Sequence, residues 1–360
     1  MTEGPQPRQA VRDMAPYSPP TGGRSGKLRL DFNENTVGCS PQVIEALQRF
    51  LTAGNLTIYP EYAAAMSGLA SFFGVETSEF TMTNGTDEAI QVMVNTFVDD
   101  GDDVVMLRPS YAMYRFYAEL AGASVREIEY RGNDLAFPVD KFLDALRPET
   151  RAVLIANPNN PTGTGIDRDN IRLILETVPD AAVLIDEAYF EFSGVTVLPW
   201  LREYPNLFVT RTFSKVYGMA AMRCGCIFSR RENVRWMKKA QSPYSVNMLA
   251  AVAARAAVED RDAVDELPEH HLHGPGQRQP DADAGKLRRV QRQLLLDPHV
   301  AGHVDQPERA VGEVHHDQRQ IGQPEGADRL GEIDQQVHRG LRGRPHRSGL
   351  RPDSPAPKYG

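Results

Sequence analysis

Cysteine is scarce in this chain. Only Cys39, Cys224 and Cys226 occur, and no two of them have the Cys-x-x-Cys spacing of a metal or redox site. A fold held together by several disulfides is therefore excluded. Cys224 and Cys226 alternate along an apolar run, so we expect both to be buried, reduced thiols. Long apolar segments are also missing: no stretch approaches the ~20 residues of a membrane span, and the N-terminus lacks the apolar core of a signal peptide, which predicts a cytoplasmic protein without a membrane partner.

The chain has no excess of positive charge. Its 48 acidic and 40 basic side chains give a formal net charge of −8, which argues against nucleic acid as the main partner. Apolar residues make up 41% of the 360 positions, enough for one large α/β domain and a smaller one. We therefore expect an enzyme that acts on small molecules.

Histidine is absent from most of the chain, and the composition changes abruptly near Leu267. All nine histidines follow that position, whereas all fourteen Phe, both Trp and all eleven Met precede it. Two histidine pairs, His271 with His273 and His315 with His316, are suggestive of metal binding. No Cys accompanies them and their spacing does not repeat, so no metal site is predicted.

Residues 268–360 are rich in Arg, Gln, Pro, Gly, His and Asp, and their apolar positions show no sustained period of 2 or 3.6. Such a segment cannot bury enough apolar surface to offset the entropy of ordering it, so a low-order tail is predicted. A shifted reading frame in GC-rich coding sequence would produce this composition. That hypothesis fails if neither of the other two frames encodes a patterned, apolar domain.

Strand and helix patterns alternate in the remainder of the chain. Apolar strand candidates occupy residues 103–107, 124–130, 152–156, 182–185, 207–210 and 224–228. Helical patterns occupy residues 87–98, 111–121, 139–146 and 168–177. This alternation predicts an α/β fold with a mostly parallel central sheet covered by helices on both faces. Ligands of such sheets bind at the carboxyl ends of the strands.

The most informative position is Lys215, which lies a few residues after the apolar run 207–209. At a strand end its amine would be partly desolvated, which disfavours the ammonium form and makes the amine available to an aldehyde. Thr212, Ser214 and Arg223 lie close by and offer donors to a phosphate. An imine-forming lysine beside a phosphate site indicates pyridoxal 5′-phosphate (PLP) chemistry, although an isolated lysine is more often a solvated charge.

Other strand ends carry further candidates. Asp186 ends a buried strand, where a carboxylate needs a cationic partner such as a protonated pyridine nitrogen, a salt bridge or a cap. Gly85 and Thr86 open a helix that Thr86 can cap and whose backbone N–H groups can approach an anion, although by itself the segment is more often an ordinary helix start. Residues 157–163 (NPNNPTG) form a tight connection with a hydrogen-bonding role. Tyr111 follows a strand and is placed to stack on an aromatic ligand.

Together these segments resemble the fold-type I PLP-dependent aminotransferases and, within them, the histidinol-phosphate aminotransferases. The resemblance covers roughly residues 30–267. It is carried by seven motifs in the family's order: residues 30–35 (LDFNEN), 59–62 (YPEY), 84–88 (NGTDE), 109–114 (PSYAMY), 157–163 (NPNNPTG), 186–189 (DEAY) and 211–223. The domains it implies are a disordered leader (1–26), an arm of the small domain (27–58), a PLP-binding large domain (59–267) and the tail (268–360), with the C-terminal small domain missing or disordered.

The resemblance also implies roles, residue by residue. Lys215 would bond to PLP and act as acid and base, and Asp186 would pair with the pyridine nitrogen. Asn160 and Tyr189 would hydrogen-bond the 3′-oxygen, and Tyr111 would stack on the ring. The phosphate would be held by Gly85, Thr86, Thr212, Ser214 and Arg223, with Tyr59 reaching it from a second subunit of a homodimer. Asp87 would also belong to the cofactor-binding residues.

The implied reaction moves an amino group from glutamate to a keto phosphate such as imidazole acetol phosphate. Thr36 replaces the family's usual proline, and Thr86 replaces a serine while keeping the hydroxyl. The family's substrate-anchoring arginine strand is not found after Leu267, so the substrate half of the site is expected to be missing. Two alternatives stay open: a PLP lyase such as a phosphothreonine decarboxylase, and an inactive truncated relative.

Overall fold

The computed structural model describes residues 4–17, 22–23, 27, 29, 31–130, 132 and 135–260. A seven-stranded sheet forms the centre of this part of the chain. The strands are β1 (Phe80–Thr83), β2 (Asp103–Arg108), β3 (Ser124–Glu129), β4 (Thr150–Ala156), β5 (Ala182–Asp186), β6 (Leu207–Thr212) and β7 (Gly225–Phe228). Their order across the sheet is β1-β7-β6-β5-β4-β2-β3, and only β7 runs antiparallel to its neighbours. The predicted mostly parallel sheet is confirmed.

Ten α-helices accompany the sheet in the described residues. They are α1 (Gln9–Asp13), α2 (Pro41–Phe50), α3 (Ala63–Phe73), α4 (Gly85–Phe97), α5 (Ala112–Ala121), α6 (Val139–Ala145), α7 (Arg168–Thr177), α8 (Phe190–Ser193), α9 (Arg231–Ala240) and α10 (Met248–Glu259).

Both faces of the sheet are buried. Along β2, Val104 and Met106 belong to one apolar cluster, and Val105 and Leu107 belong to the other. Successive side chains of a strand point to opposite faces, so the two clusters are the two sides of the sheet. Helices α4, α5 and α9 contribute to the first cluster, and α3, α6, α7 and α10 to the second. The near-continuous apolar strands of the sequence follow from this double burial.

The predicted strands and helices agree with the observed ones to within two residues at each end. Strand β1 and helices α1, α2, α3, α8, α9 and α10 have no counterpart among the predicted elements. β1 is recognisable only through its pairing with β7. Cys224 and Cys226 are free and buried, as predicted.

Part of the predicted arm (27–58) packs against the rest of the described chain. Helix α2 packs against α10, and its Val43 side chain is 1% exposed. Ser40 caps α2 by accepting a hydrogen bond from Gln42 N, and its hydroxyl donates to Asp260 Oδ2. The arm is therefore fixed by contacts to the last described helix and to the residue that follows it.

The predicted leader contains a short helix that its composition did not indicate. Helix α1 has no buried residue and lies against α5, where Arg8 Nη2 donates to Ala121 O at 3.4 Å. The predicted tail and its histidine pairs lie outside the described residues. Within residues 4–260, no helix is long and apolar enough to cross a membrane, and no cluster of His, Cys, Asp and Glu is arranged to hold a metal ion, apart from the few undescribed positions in that range.

Candidate cofactor site

Strands β4, β5 and β6 end side by side, and the residues after them form one site. Ala156 of β4 is in register with Asp186 of β5, and Asp186 is in register with Thr210 of β6. The segment 212–215 continues beyond that register. The structure thus brings the Asn-rich turn, Asp186 and Lys215 to the same edge of the sheet, as the topology of parallel strands requires.

Asp186 is a buried carboxylate, 3% exposed. Its Oδ2 accepts a hydrogen bond from the Tyr114 hydroxyl at 2.8 Å, and its Oδ1 accepts from the Thr210 hydroxyl at 2.8 Å and from Ala188 N at 3.1 Å. Burial raises the pKa of Asp186, and these three hydrogen bonds only partly oppose it. A cation at this carboxylate would reverse the penalty of desolvation.

Lys215 is the amine of the site. Its Nζ donates a hydrogen bond of 2.7 Å to the carbonyl of Phe32 and lies 5.7 Å from the centre of the Tyr189 ring. Burial lowers the pKa of Lys215, while the nearby carboxylates of Asp186 and Glu34 oppose the shift. The amine is therefore more readily deprotonated than an exposed lysine, which is what attack on an aldehyde requires.

Tyr189 is held by the N-terminal arm. Asn33 Nδ2 donates to the Tyr189 hydroxyl at 3.0 Å, and Asn33 adopts a left-handed backbone conformation with φ of 52°. Burial raises the pKa of Tyr189 to about 12. The phenol is therefore protonated at neutral pH and can donate a hydrogen bond to a ligand.

A small concave surface lies at the start of α4. Gly85 has a φ of 75°, and a Cβ there would lie 2.5 Å from Arg223 Nη2. A Cβ on Gly225 would lie 2.9 Å from Thr86 N. Both glycines thus keep the helix start open to the guanidinium. The free N–H groups of a helix start and a guanidinium together favour an anion.

Two hydroxyls and a carboxylate complete this surface. Thr212 and Ser214 are buried, and Thr212 Oγ1 accepts a hydrogen bond from Ser214 N at 3.1 Å. Asp87 pairs with Arg223 at 3.0 Å and also accepts from the Tyr111 hydroxyl at 2.6 Å. The Asp87 carboxylate therefore fixes Arg223 and Tyr111 relative to each other, rather than facing an anion itself.

Thr86 does not cap α4, contrary to the prediction. The helix begins two residues earlier than predicted, so Asn84 is the capping residue and Thr86 lies in the first turn. The Asn84 side chain makes no capping hydrogen bond; instead Glu88 Oε2 accepts from Asn84 N at 2.5 Å. The hydroxyl of Thr86 is therefore not used in a cap.

The amides of the 157–163 turn have two different roles. Asn157 exchanges two hydrogen bonds with the backbone of Ile166, and Asn159 bonds to Pro109, Ser110 and Thr162. These two amides shape the turn. Asn160 is half-buried and has no side-chain hydrogen bond to any described residue, which leaves its amide for a ligand.

A cavity of about 380 Å³ adjoins the site. It is lined by Arg29, Glu34, Asn35, Ser214, Gly218, Ala220 and Ala221. The Arg29 guanidinium pairs with Glu34 at 2.8 Å at its wall. The volume suits a small molecule rather than a polymer.

Several residues that shape the site were not among the predicted site residues. Tyr114 and Thr210 hold Asp186, while Phe32 and Asn33 hold Lys215 and Tyr189. Thr210 could have been found, since it lies two positions before Thr212 and therefore on the same face of β6. Phe32 acts through its backbone, which no side-chain pattern reveals. Tyr59, predicted to belong to the site of a second subunit, is 75% exposed and its ring lies 4.8 Å from that of Tyr244.

Comparison with known proteins gives a consistent result. Residues 25–277 match the family described as aminotransferase class I and II. The chain is 34% identical over 279 residues to the histidinol-phosphate aminotransferase of Geobacillus sp. (strain WCH70), covering 73% of this chain and 75% of that protein. It is 36% identical over 259 residues to the enzyme of the same name from Bacillus cytotoxicus, covering 70% and 69%.

Among solved structures, the fold is similar to that of histidinol-phosphate aminotransferase from Sinorhizobium meliloti, which was determined in complex with pyridoxal 5′-phosphate. The TM-score is 0.62 at 24% identity, and the match covers 66% of each chain. The chain therefore spans about two thirds of the length of this neighbour.

Proposed function

The chain belongs to the class I and II aminotransferases, and we propose that it exchanges an amino group between glutamate and imidazole acetol phosphate, giving 2-oxoglutarate and histidinol phosphate. The enzyme class is a PLP-dependent transaminase. The choice of substrates is supported by the names of relatives at 34% and 36% identity. The observation that carries the chemistry is the buried Asp186 carboxylate on the same sheet edge as Lys215.

The residues present fit PLP. Its ring nitrogen offers the cation that the desolvated Asp186 lacks, and its aldehyde suits an amine whose pKa is lowered. Its phosphate suits the space that Gly85 keeps open beside Arg223. When bound, PLP supplies an aldehyde that bonds to amines and a ring that withdraws electrons from the attached carbon.

Asp186 would stabilise a proton on the cofactor, and Lys215 would transfer the proton of the substrate. The Asp186 carboxylate would hold the proton on the ring nitrogen, since its burial makes an ion pair far more favourable than an isolated charge. Lys215 Nζ would take the proton from the α-carbon of glutamate and deliver it to the former aldehyde carbon of the cofactor, and in the second half of the exchange it would carry out the reverse transfer. A lysine with a lowered pKa is suited to both directions of transfer.

The remaining residues would orient the cofactor. Gly85, Thr86, Thr212, Ser214 and Arg223 would hold the phosphate, with Asp87 positioning Arg223. Tyr111 would stack on the ring. The Tyr189 hydroxyl, protonated at neutral pH, and the Asn160 amide would donate to the 3′-oxygen.

Homodimer formation and a cytoplasmic location are part of the proposal. Tyr59 would reach the phosphate of a second subunit, which is supported by its exposure and by that of its apolar neighbours Leu56, Ile58 and Tyr244. Large exposed apolar groups close together favour a protein interface. Reduced, buried Cys224 and Cys226 are compatible with a reducing compartment.

The proposal is tested by following both halves of the reaction. The PLP-loaded chain is mixed with glutamate alone, and the visible spectrum and 2-oxoglutarate are measured; imidazole acetol phosphate is then added and histidinol phosphate is measured. We expect both products in equal amounts. Release of CO₂ from an amino acid without a keto product would instead indicate a lyase, and a bound cofactor with no turnover would indicate an inactive relative.

A further inference from the structure

A buried pair of oppositely charged residues, Glu187 and Arg211, lies next to the candidate cofactor site. Glu187 and Arg211 are 1% and 5% exposed, and Arg211 Nε and Nη2 contact Glu187 Oε2 at 2.8 and 2.7 Å. Neither residue has a role in the proposed reaction. Each is, however, the chain neighbour of a residue that has one, because Glu187 follows Asp186 and Arg211 precedes Thr212.

The pair lies on the opposite face of the sheet from the site. Successive side chains of a strand alternate between faces, so Thr210 and Thr212 share one face and Arg211 points to the other. The hydrogen bond from Thr210 to Asp186 places that face on the cofactor side. The contact with Arg211 likewise places Glu187 behind Asp186. The ion pair therefore acts on the site only through the backbone.

The pair joins two strands where their ladder stops. Strand β5 ends at Asp186, and its last registered partner on β6 is Thr210. One more backbone hydrogen bond follows, from Glu187 N to Thr210 O at 3.0 Å. The next residues of β6, Arg211 and Thr212, are paired only with β7. Beyond the ladder, the ion pair links the end of β5 to the segment that leads to Lys215.

Surrounding contacts fix the pair in one geometry. Glu187 also accepts from Val197 N at 2.7 Å and from the Thr196 hydroxyl at 2.8 Å, and Arg211 Nη2 donates to Thr196 at 3.1 Å. The guanidinium stacks on Phe190, 3.5 Å from the ring centre. A buried ion pair contributes little net stability compared with an apolar pair, so its main effect is a defined arrangement.

We propose that Glu187 and Arg211 are positioning residues that set the distance between Asp186 and the 212–215 segment. This distance determines whether Asp186 can reach the cofactor ring while Thr212 and Ser214 reach its phosphate. This inference rests on the proposed function. It predicts that breaking the pair weakens cofactor binding although no group that touches the cofactor is changed.

The test compares Glu187→Gln with Glu79→Gln. Glu79 is a matched control because it is also buried, at 7%, and also accepts two hydrogen bonds from an arginine, Arg202, at 2.7 and 3.0 Å. It lies just before β1, two strands away from β6. PLP affinity is measured by titrating the protein with PLP and following the visible absorbance band of the bound cofactor. The pKa of this band is measured by pH titration, and folding is measured by circular dichroism and by the melting temperature.

We expect Glu187→Gln to raise the PLP dissociation constant about tenfold and to shift the pKa of the band, since small misplacements at an active site are costly. Glu79→Gln should lower the melting temperature and leave both cofactor properties within about twofold of the wild type. Arg211→Lys keeps a positive charge beside Glu187 but loses the two-donor geometry of the guanidinium. It should keep the native fold and give a PLP dissociation constant between those of the wild type and Glu187→Gln. If Glu187→Gln does not fold, the PLP affinity of Arg211→Lys tests the inference by itself.

Three outcomes would overturn the inference. If Glu187→Gln and Glu79→Gln change PLP affinity equally, or if Arg211→Lys binds PLP as the wild type does, the pair has only a structural role. A wild-type chain that shows no cofactor band at all would overturn the proposed function and this inference with it, whereas the first two results leave the proposed function intact.

Discussion

The backbone carbonyl of Phe32 accepts a 2.7 Å hydrogen bond from Lys215 Nζ, across 183 positions of the sequence. Two neighbours of Phe32 reinforce this contact: Asn33 donates to Tyr189, and Asn35 Nδ2 donates to Val216 O at 2.8 Å. The arm thus holds Lys215 through the Phe32 carbonyl, and it also holds Tyr189 and Val216 next to that lysine. The amine that would bond to an aldehyde is therefore the one that the arm contacts.

Replacement of Lys215 by alanine should abolish covalent attachment of PLP. After reduction with borohydride, the wild type should carry the cofactor mass on the peptide that contains Lys215, and the variant should carry none. Lys239→Ala, which removes an exposed lysine on α9, serves as the control and should retain the label. Labelling of the Lys215→Ala chain to the wild-type level would show that another amine is the attachment site.

Replacement of Asp186 by asparagine should separate stability from activity. The folded-state pKa of Asp186 is raised above its ordinary value of 3.8, so its contribution to stability is lost as pH rises. Asparagine removes the buried charge, and we expect a higher melting temperature for the cofactor-free protein at pH 8. Transaminase turnover should fall by about a hundredfold or more, because the charge that stabilises the ring nitrogen is gone. Unchanged turnover would exclude the proposed role of Asp186.

Alanine at Gly85 should weaken phosphate binding. Its backbone is left-handed, which costs about 1–2 kcal/mol for a residue with a Cβ, and the new methyl group would also displace Arg223. Gly101→Ala is the control: its φ of 84° carries the same strain, but nothing lies within 4 Å of the added Cβ. Both variants should lose similar stability on chemical denaturation. Only Gly85→Ala should bind PLP more weakly, and equal PLP affinities would argue against a phosphate at this position.

Glu191 should make the stability of the protein dependent on pH. Burial, with a smaller contribution from Glu187, raises the pKa of Glu191 from 4.5 to about 7 against the opposing charge of Arg211. Because the folded pKa is the higher one, the contribution of Glu191 to stability is fully present below pH 4.5 and is lost as pH rises through 7.

Glu191→Gln should therefore match the wild type near pH 4.5 and exceed it by up to about 3 kcal/mol at pH 8, since one pKa unit corresponds to about 1.4 kcal/mol. Urea denaturation at both pH values measures this. Glu203→Gln, at an exposed position, should follow the wild-type curve. Parallel curves for Glu191→Gln and the wild type would place the titration elsewhere, for instance at Glu187 or Asp186, whose pKa values are also raised.

Much of the sheet and the cofactor half of the site could be predicted from local sequence. The apolar runs of β4, β5 and β6 identify buried parallel strands, and chemistry-bearing residues such as Asp186 directly follow them. Short β1 and the pairing of α2 with α10 could not be predicted, because they depend on contacts between distant segments. The amides of the 157–163 turn show a further limit. Nothing in the local sequence distinguishes Asn157 and Asn159, which shape the turn, from Asn160, whose amide makes no hydrogen bond to a described residue.

The hydrogen bond between Ser40 and Asp260 has a practical consequence for assays. It ties the start of α2 to the residue that follows α10, so the end of α10 is joined to the arm that contacts Lys215. A fluorophore attached at this junction would report on arm displacement, and its emission should change when an aldehyde engages the lysine. Cofactor loading would then be readable in real time without any spectral contribution from the cofactor.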